Sequence, residues 1–399
     1  MAHIRQLFLQ HLAQTSEFPL MLEIERGEGC YLYSPDGKEY LDLIAGIGVS
    51  SLGHCHPKVT EAVKKQADKY LHTMVYGEYV LTPQVRLAEL MANNLPENLD
   101  SIYFTNSGTE ATEGAMKLAK RYTGRSEFVA MKNAYHGSSQ GAASLMWPKD
   151  FTQAYHPLLP GIKHIDFNCE WCLSQITEKT AAVIAETVQA EWGLRKPIND
   201  YLKKLRKRCD EVGALLILDE IQAGYGRTGT LWAFEQYGIV PDILLTAKGM
   251  GGGMPIGAFI SSKEIMSVLS YNPLLGHITT FGGHPVSCAA ALATLEVLLK
   301  ENYIKDVAKK EQIIHEMLKH ELIIHVRTAG LWAAVEMKDF DTVQAVIKEC
   351  LELGLITDWF LFNDRSLRIA PPLLITEEEI RKGCKIILKA MDSVMSFAQ

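Results

Sequence analysis

Two apolar segments in the middle of the 399-residue chain run directly into charged side chains. Leu215-Leu216-Ile217-Leu218 ends in Asp219-Glu220, and Ile243-Leu244-Leu245-Thr246-Ala247 ends in Lys248. Ligands of open α/β sheets bind outside the carboxyl ends of the strands, so a carboxylate and an amine there can meet one ligand. A lysine straight after a buried strand is costly unless it is paired or used covalently. On these residues alone, a structural ion pair between Asp219 and Lys248 stands level with a catalytic use. A third feature is Ile102-Tyr103-Phe104-Thr105 leading through Asn106-Ser107-Gly108-Thr109 into a helical pattern. The unpaired first-turn N–H groups of such a junction favour an anion, Gly108 lets backbone come close, and Ser107 or Thr109 adds a hydroxyl. An ordinary helix cap, with Glu110 or Glu113 in the first turn, explains the same residues without a ligand.

One compound uses all three features. It needs an aldehyde for the lysine, a protonated ring nitrogen for the aspartate and a phosphate for the turn, and pyridoxal 5′-phosphate (PLP) carries each. The glycine run at 249–257 invites a dinucleotide instead. It fails the spacing, because the last position falls on Met254 or Ile256, and it lies between two strands. Cys169-Glu170-Trp171-Cys172 with nearby His164 lacks the second cysteine pair of a structural zinc site, so no metal is expected.

The elements that must position these groups are strands at 102–105, 128–131, 182–186, 215–219, 243–246 and 258–261. Helices are expected at 110–122, 200–212 and 285–300. Their alternation predicts an α/β fold with a mostly parallel sheet covered on both faces. A hairpin is expected from 29–35 and 38–43 across Asp36-Gly37. The length exceeds the roughly 250–300 residues of one core. The expected division is 1–50 as an N-terminal segment joining a small domain, 51–289 as a large cofactor-binding domain, and 290–399 as the C-terminal small domain.

Apolar residues make up 47%, and 47 acidic against 40 basic residues give a net charge of -7. That balance argues against nucleic acid or an anionic membrane as partner. The eight cysteines are scattered, several in apolar runs, and read as reduced and buried in a cytoplasmic protein. Residues 1–20 are interrupted by Arg5, Gln10 and His11, unlike a signal peptide. No window reaches the roughly 18 apolar residues of a membrane helix.

Longer blocks carry a resemblance. They include Gly53-His54-Cys55-His56-Pro57, Asn106-Ser107-Gly108-Thr109-Glu110-Ala111, Tyr135-His136-Gly137 and Glu186-Thr187-Val188-Gln189 with Glu191. Asp219-Glu220-Ile221-Gln222-Ala223-Gly224-Tyr225-Gly226-Arg227-Thr228-Gly229, Ala247-Lys248-Gly249, Thr279-Thr280-Phe281-Gly282-Gly283 and Arg368-Ile369-Ala370-Pro371-Pro372 follow in order. Together they resemble the class III (ω-amino-acid) aminotransferases of PLP fold type I, similar to the acetylornithine and ornithine types. The resemblance implies a large domain with a mostly parallel seven-stranded sheet and a smaller α+β domain built from both termini. It implies Lys248 as the Schiff-base lysine and proton carrier, and Asp219 as the pyridine partner. Gln222 would contact the ring hydroxyl and Tyr135 would stack on the ring. Ser107, Gly108 and Thr109 would hold the phosphate, with His136 and Glu186 also at the cofactor. Thr280 would reach the partner's phosphate in a homodimer with a shared site. Arg368 would bind a substrate carboxylate and Glu191 would cover it.

The implied reaction moves the terminal amino group of a donor such as N-acetylornithine, or a related ω-amino acid, to 2-oxoglutarate. Two positions depart from the pattern: Ser138 stands where a second arginine is usual, and Ile47 where ornithine-type members tend to carry tyrosine. They leave open a broad ω-amine or β-amino-acid:pyruvate transaminase. A PLP aminomutase or decarboxylase on the same scaffold remains the other alternative.

Overall fold

The computed structural model describes residues 4–397, so the outermost parts of the expected terminal segments, 1–3 and 398–399, lie outside it. Near the N-terminus, β1 (Arg26–Glu28), β2 (Tyr31–Tyr33) and β3 (Glu39–Asp42) form an antiparallel ribbon. The expected turn closes it: Ser34 N–H donates to Lys38 at 3.1 Å, and Gly37 takes φ 84°, open to glycine without strain.

The central sheet contains β4 (Ser101–Thr105), β5 (Glu127–Met131), β6 (Ile162–Ile165), β7 (Thr180–Glu186), β8 (Leu215–Asp219), β9 (Ile243–Ala247) and β10 (Gly257–Ser261). Its order is β4-β10-β9-β8-β7-β5-β6, and β10 alone runs against the others. β7, β8 and β9 are buried along their whole length. Alternate residues enter two separate cores: Val183, Leu216, Leu218 and Leu244 on one face, Ile184, Leu215, Ile217 and Leu245 on the other. Burial on both faces explains why these strands read as continuous apolar runs. Helix Gly108–Thr123 covers one face through Ala111, Ala115 and Leu118, and helix Tyr201–Val212 the other through Leu202, Leu205 and Cys209.

The C-terminal third adds β11 (His325–Thr328), β12 (Ala333–Glu336), β13 (Leu355–Ile356), β14 (Asp358–Phe360) and β15 (Asn363–Ile369). β11, β12, β15 and β14 make a second antiparallel sheet, while β13 pairs in parallel with β3. Both ends of the chain thus share one four-stranded sheet.

Each expected strand of the central sheet is present. The sequence missed β6, an edge strand whose Ile-Lys-His-Ile pattern is mixed. The expectation of eight reduced, buried cysteines is corrected at three positions. Cys169 and Cys172 are joined, their Cα atoms 5.4 Å apart where the chain enters the short helix Trp171–Gln175, and Cys55 is exposed. The three-residue step of a C-x-x-C there brings both thiols within bridging reach. No helix among the described residues is long and apolar enough to cross a membrane.

Candidate active site

The parallel strands of the central sheet end at one edge, and a cavity of ≈ 580 Å³ opens there. β4 leads into Ser107, Gly108 and Thr109; β5 leads towards Tyr135, His136 and Ser138; β7 ends in Glu186; β8 ends in Asp219 and leads to Gln222; β9 ends at Ala247, before Lys248. All eleven of these residues line the cavity.

At one end, Ser107 is the N-cap of helix Gly108–Thr123, its hydroxyl accepting from Glu110 N–H at 3.3 Å. The first N–H groups of that helix are left for an anion. A Cβ on Gly108 would come within 2.7 Å of Ile221, and one on Gly257 would collide with the Ser107 carbonyl. Both glycines therefore hold the turn close against its neighbours. Thr109 Oγ1 lies 2.6 Å from Ser139 Oγ, which donates to Glu113 at 2.7 Å. Glu113 also accepts from Gly141 and Ala142 N–H, so it fixes the loop carrying Ser138 to the anion end.

At the floor, Asp219 Oδ2 is 2.7 Å from His136 Nδ1, and Oδ1 accepts Ile221 N–H at 2.9 Å. His136 is buried and its Nε2 has no partner. Glu186 sits beside Asp219 in register across β7 and β8. Burial, then the Asp219 charge, raises the Glu186 carboxyl well above its usual value. Its oxygens accept from Tyr135 N–H at 3.1 Å and Ala190 N–H at 2.7 Å, which anchors the Tyr135 backbone.

Lys248 takes φ 46°, a left-handed conformation costly for a side chain with a Cβ. Burial lowers its amine to about 8, opposed by Glu191, Asp219 and Glu186 and reinforced by Arg368. An amine held there is neutral often enough near neutral pH to attack a carbonyl carbon.

Behind Gln222 lies a buried ion pair. Glu191 takes both terminal nitrogens of Arg368, at 3.2 and 2.8 Å, and accepts from Gln222 at 3.2 Å and Leu361 N–H at 2.9 Å. Burial pushes the Glu191 carboxyl up, but Arg368 and the Leu361 N–H outweigh it and hold it below its usual value. Arg368 also donates to the Trp359 carbonyl at 2.8 Å, stacks 4.5 Å from the Phe360 ring centre and has Asp358 3.1 Å from its Nε. Burial raises Asp358 to about 6 in spite of that arginine.

Glu191 and Arg368 do not themselves line the cavity. Ile47 is 41% exposed and outside it, while nearby Val49 lines it. Thr280 is exposed on the loop beyond β10, away from the cavity of its own chain. Sequence reasoning did not single out Val49 or Asp358, and took Glu113 only as a capping residue of the helix after Ser107. Asp358 had a legible signal only after pairing, since it faces Arg368 in the β14–β15 register. Val49 carries none.

The residues present suit PLP. An amine, a carboxylate, an aromatic wall at Tyr135 and a helix N-terminus converge on one cavity, and Gly108 and Gly257 leave the anion end open to backbone contact.

The family model for class III aminotransferases matches residues 12–391. An acetylornithine aminotransferase of Methanocaldococcus jannaschii is 40% identical over 97% of this chain and 96% of its own length. A putrescine aminotransferase of Pectobacterium atrosepticum is 41% identical over 91% of this chain and 81% of its own. The solved ornithine aminotransferase of Toxoplasma gondii superposes with a TM-score of 0.90 at 30% identity, covering 98% of this chain and 94% of that one. The chain belongs to the class III aminotransferases, and its cofactor is pyridoxal 5′-phosphate.

Proposed function

We propose that this ω-aminotransferase takes the terminal amino group of a short-chain primary amine and passes it to 2-oxoglutarate. The donor class is bounded by the relatives named for acetylornithine and putrescine. The observation that carries the acceptor is the bidentate Glu191–Arg368 pair next to Lys248. A buried guanidinium with a removable carboxylate partner can exchange it for a substrate carboxylate.

When bound, PLP supplies an aldehyde and an electron-accepting ring. Lys248 Nζ would hold the cofactor and carry the proton of the amino-bearing carbon. Asp219, steadied by His136, would balance a protonated ring nitrogen. Tyr135 would stack on the ring and exclude water, Gln222 would contact the ring hydroxyl, and Ser107, Gly108 and Thr109 would hold the phosphate. Glu191 covers Arg368 while a donor without a dicarboxylate is bound. The proposed units are 1–50, 51–289 and 290–399, in a cytoplasmic homodimer in which Thr280 completes the neighbour's phosphate site.

The test is glutamate formation from 2-oxoglutarate with terminal amines. Donor consumption that does not depend on an added oxo acid would point to decarboxylation or amino-group migration and sink the proposal. For the dimer, mixing Lys248→Ala chains with Thr280→Arg chains under exchange conditions is expected to restore part of the activity. An undiminished Thr280→Arg enzyme would remove that role.

A further inference from the structure

Cys169 and Cys172 are joined in the connection after β6, while the other six cysteines are free. Neither of the pair lines the active-site cavity, and transamination has no use for them. We infer that the pair is a reversible dithiol–disulfide site, opened by an external thiol at Cys169, whose state sets how firmly the loop at 195–198 is held.

Loop length and exposure support a redox use over a structural one. The bond spans a sequence separation of 3, so it removes little freedom from the unfolded chain and adds little as a staple. The core around it is already packed, with Phe167, Leu173 and Ile176 buried. In the cytoplasmic setting proposed above, bonds of this kind are usually transient, catalytic or redox-sensing. The two sulfurs also differ in access. Cys172 is 1% exposed, Cys169 is only partly buried, and Trp171 between them is 77% exposed. An incoming thiolate therefore meets Cys169 Sγ first.

In the exchange, the thiolate sulfur bonds to Cys169 Sγ and the Cys169–Cys172 bond breaks. Its electron pair leaves on Cys172 Sγ, which takes a proton. A second thiolate displaces the first from Cys169, which is protonated in turn. The two external thiols end as their disulfide, and the protein bond has gained two electrons. In reverse, Cys172 attacks a mixed disulfide on Cys169, which the C-x-x-C step keeps close, with the Cα atoms 5.4 Å apart.

Asn168 connects this chemistry to the neighbouring loop. It takes φ 63°, in the left-handed region that asparagine tolerates. Its amide donates to the Lys196 carbonyl at 3.0 Å, and its Oδ1 accepts Ile198 N–H at 3.1 Å. That loop leaves the Gln189–Arg195 bridge, which encloses Glu191. With the bond closed, Asn168 is fixed between β6 and a Cys169 tied to the buried Cys172. Opening the bond removes the second anchor.

The test places PLP-loaded enzyme in glutathione buffers of graded reduced-to-oxidised ratio, followed by acid quench, alkylation and peptide mapping. Cys169 and Cys172 are expected to pass together from bridged to alkylated as reduced glutathione rises, and to return when the ratio is reversed. Oxidised glutathione should add to Cys169 in Cys172→Ser about tenfold faster or more than to Cys172 in Cys169→Ser, since exchange follows access to the sulfur. Amide hydrogen exchange at Ile198 is expected to be several-fold faster in the reduced native enzyme than in the oxidised one. A bond that stays closed at every ratio is a structural staple and overturns the proposal, as does a pair that stays reduced at every ratio. Addition that is as fast at Cys172 as at Cys169, or Ile198 exchange that is the same in both states of the native enzyme, overturns it as well.

Discussion

The cofactor half of the site and the substrate half are built in different ways. Lys248, Asp219, Glu186 and Ser107 sit at or just past the ends of strands in one sheet, and backbone N–H groups or a buried ring hold their neighbours in place. Arg368 comes from a strand of a different sheet, Glu191 and Leu361 from connecting segments, and in the proposed reaction the ion pair between Glu191 and Arg368 opens to admit a carboxylate. The first half is one rigid arrangement. The second is an ion pair that the proposed function uses as a switch between donor and acceptor.

Mutations can break or sharpen this division. Lys248→Ala is expected to have the largest effect, lowering both half-reactions on the order of 10⁴-fold, the upper range for a lost proton-transfer group. Borohydride reduction and peptide mapping of the native enzyme should find the pyridoxyl group on Lys248. Asp219→Asn should lower both halves by about 10²–10³-fold, the scale of a lost preorganised electrostatic partner, with PLP content measured by absorbance largely kept. Arg368→Ala should be one-sided. Losing a bidentate charge-assisted contact costs about 2–4 kcal/mol, roughly 30–1,000-fold in kcat/KM, and the loss should fall on 2-oxoglutarate with a monoamine donor little affected. Equal losses in both halves would erase the distinction between the two regions.

The smallest effect is a pH dependence confined to the cofactor half. Lys248 titrates at about 8 in the folded protein, below its ordinary 10.5. The neutral amine grows as pH rises towards 8, so stopped-flow capture of PLP by apo-enzyme should quicken about tenfold per pH unit below that point and level off above it. The sign for stability follows from the same shift. The cost of burying the ammonium is fully present below about 8 and fades as pH rises from there towards 10.5. A capture rate that is flat from pH 6 to 9 would contradict a lowered amine.

Legibility in the sequence follows the same division. β7, β8 and β9 are visible because both faces are buried, and their terminal charges stand out against apolar runs. β6 was not visible, since an edge strand with Lys163 and His164 has no clean pattern. Glu113 acts by capping the helix Gln140–Ser144 from another helix, and Asp358 acts across a strand pair, so each depends on contacts far along the chain. Of the side cavity next to Tyr135, the sequence singled out only Tyr135 and Ser138. The rest of its lining, from Gln140 to Leu361, comes together only in three dimensions.

The reversed strand β10 has a consequence for assembly. It lies between β4 and β9, so the turn after residue 105 and the lysine at 248 belong to one surface only once β10 is seated between them. The β9–β10 pairing is local, but the β4–β10 pairing spans about 150 residues, and closing so long a loop carries an entropic cost. The finished site is then a ligand-binding feature that the unfolded chain lacks, and PLP bound there acts as a thermodynamic clamp on the β4–β10–β9 part of the sheet. Its occupancy should raise apparent stability with the logarithm of PLP concentration, by about 2.7 kcal/mol at a hundredfold excess over Kd. The cofactor is thereby part of the folded state's stability as well as of its chemistry.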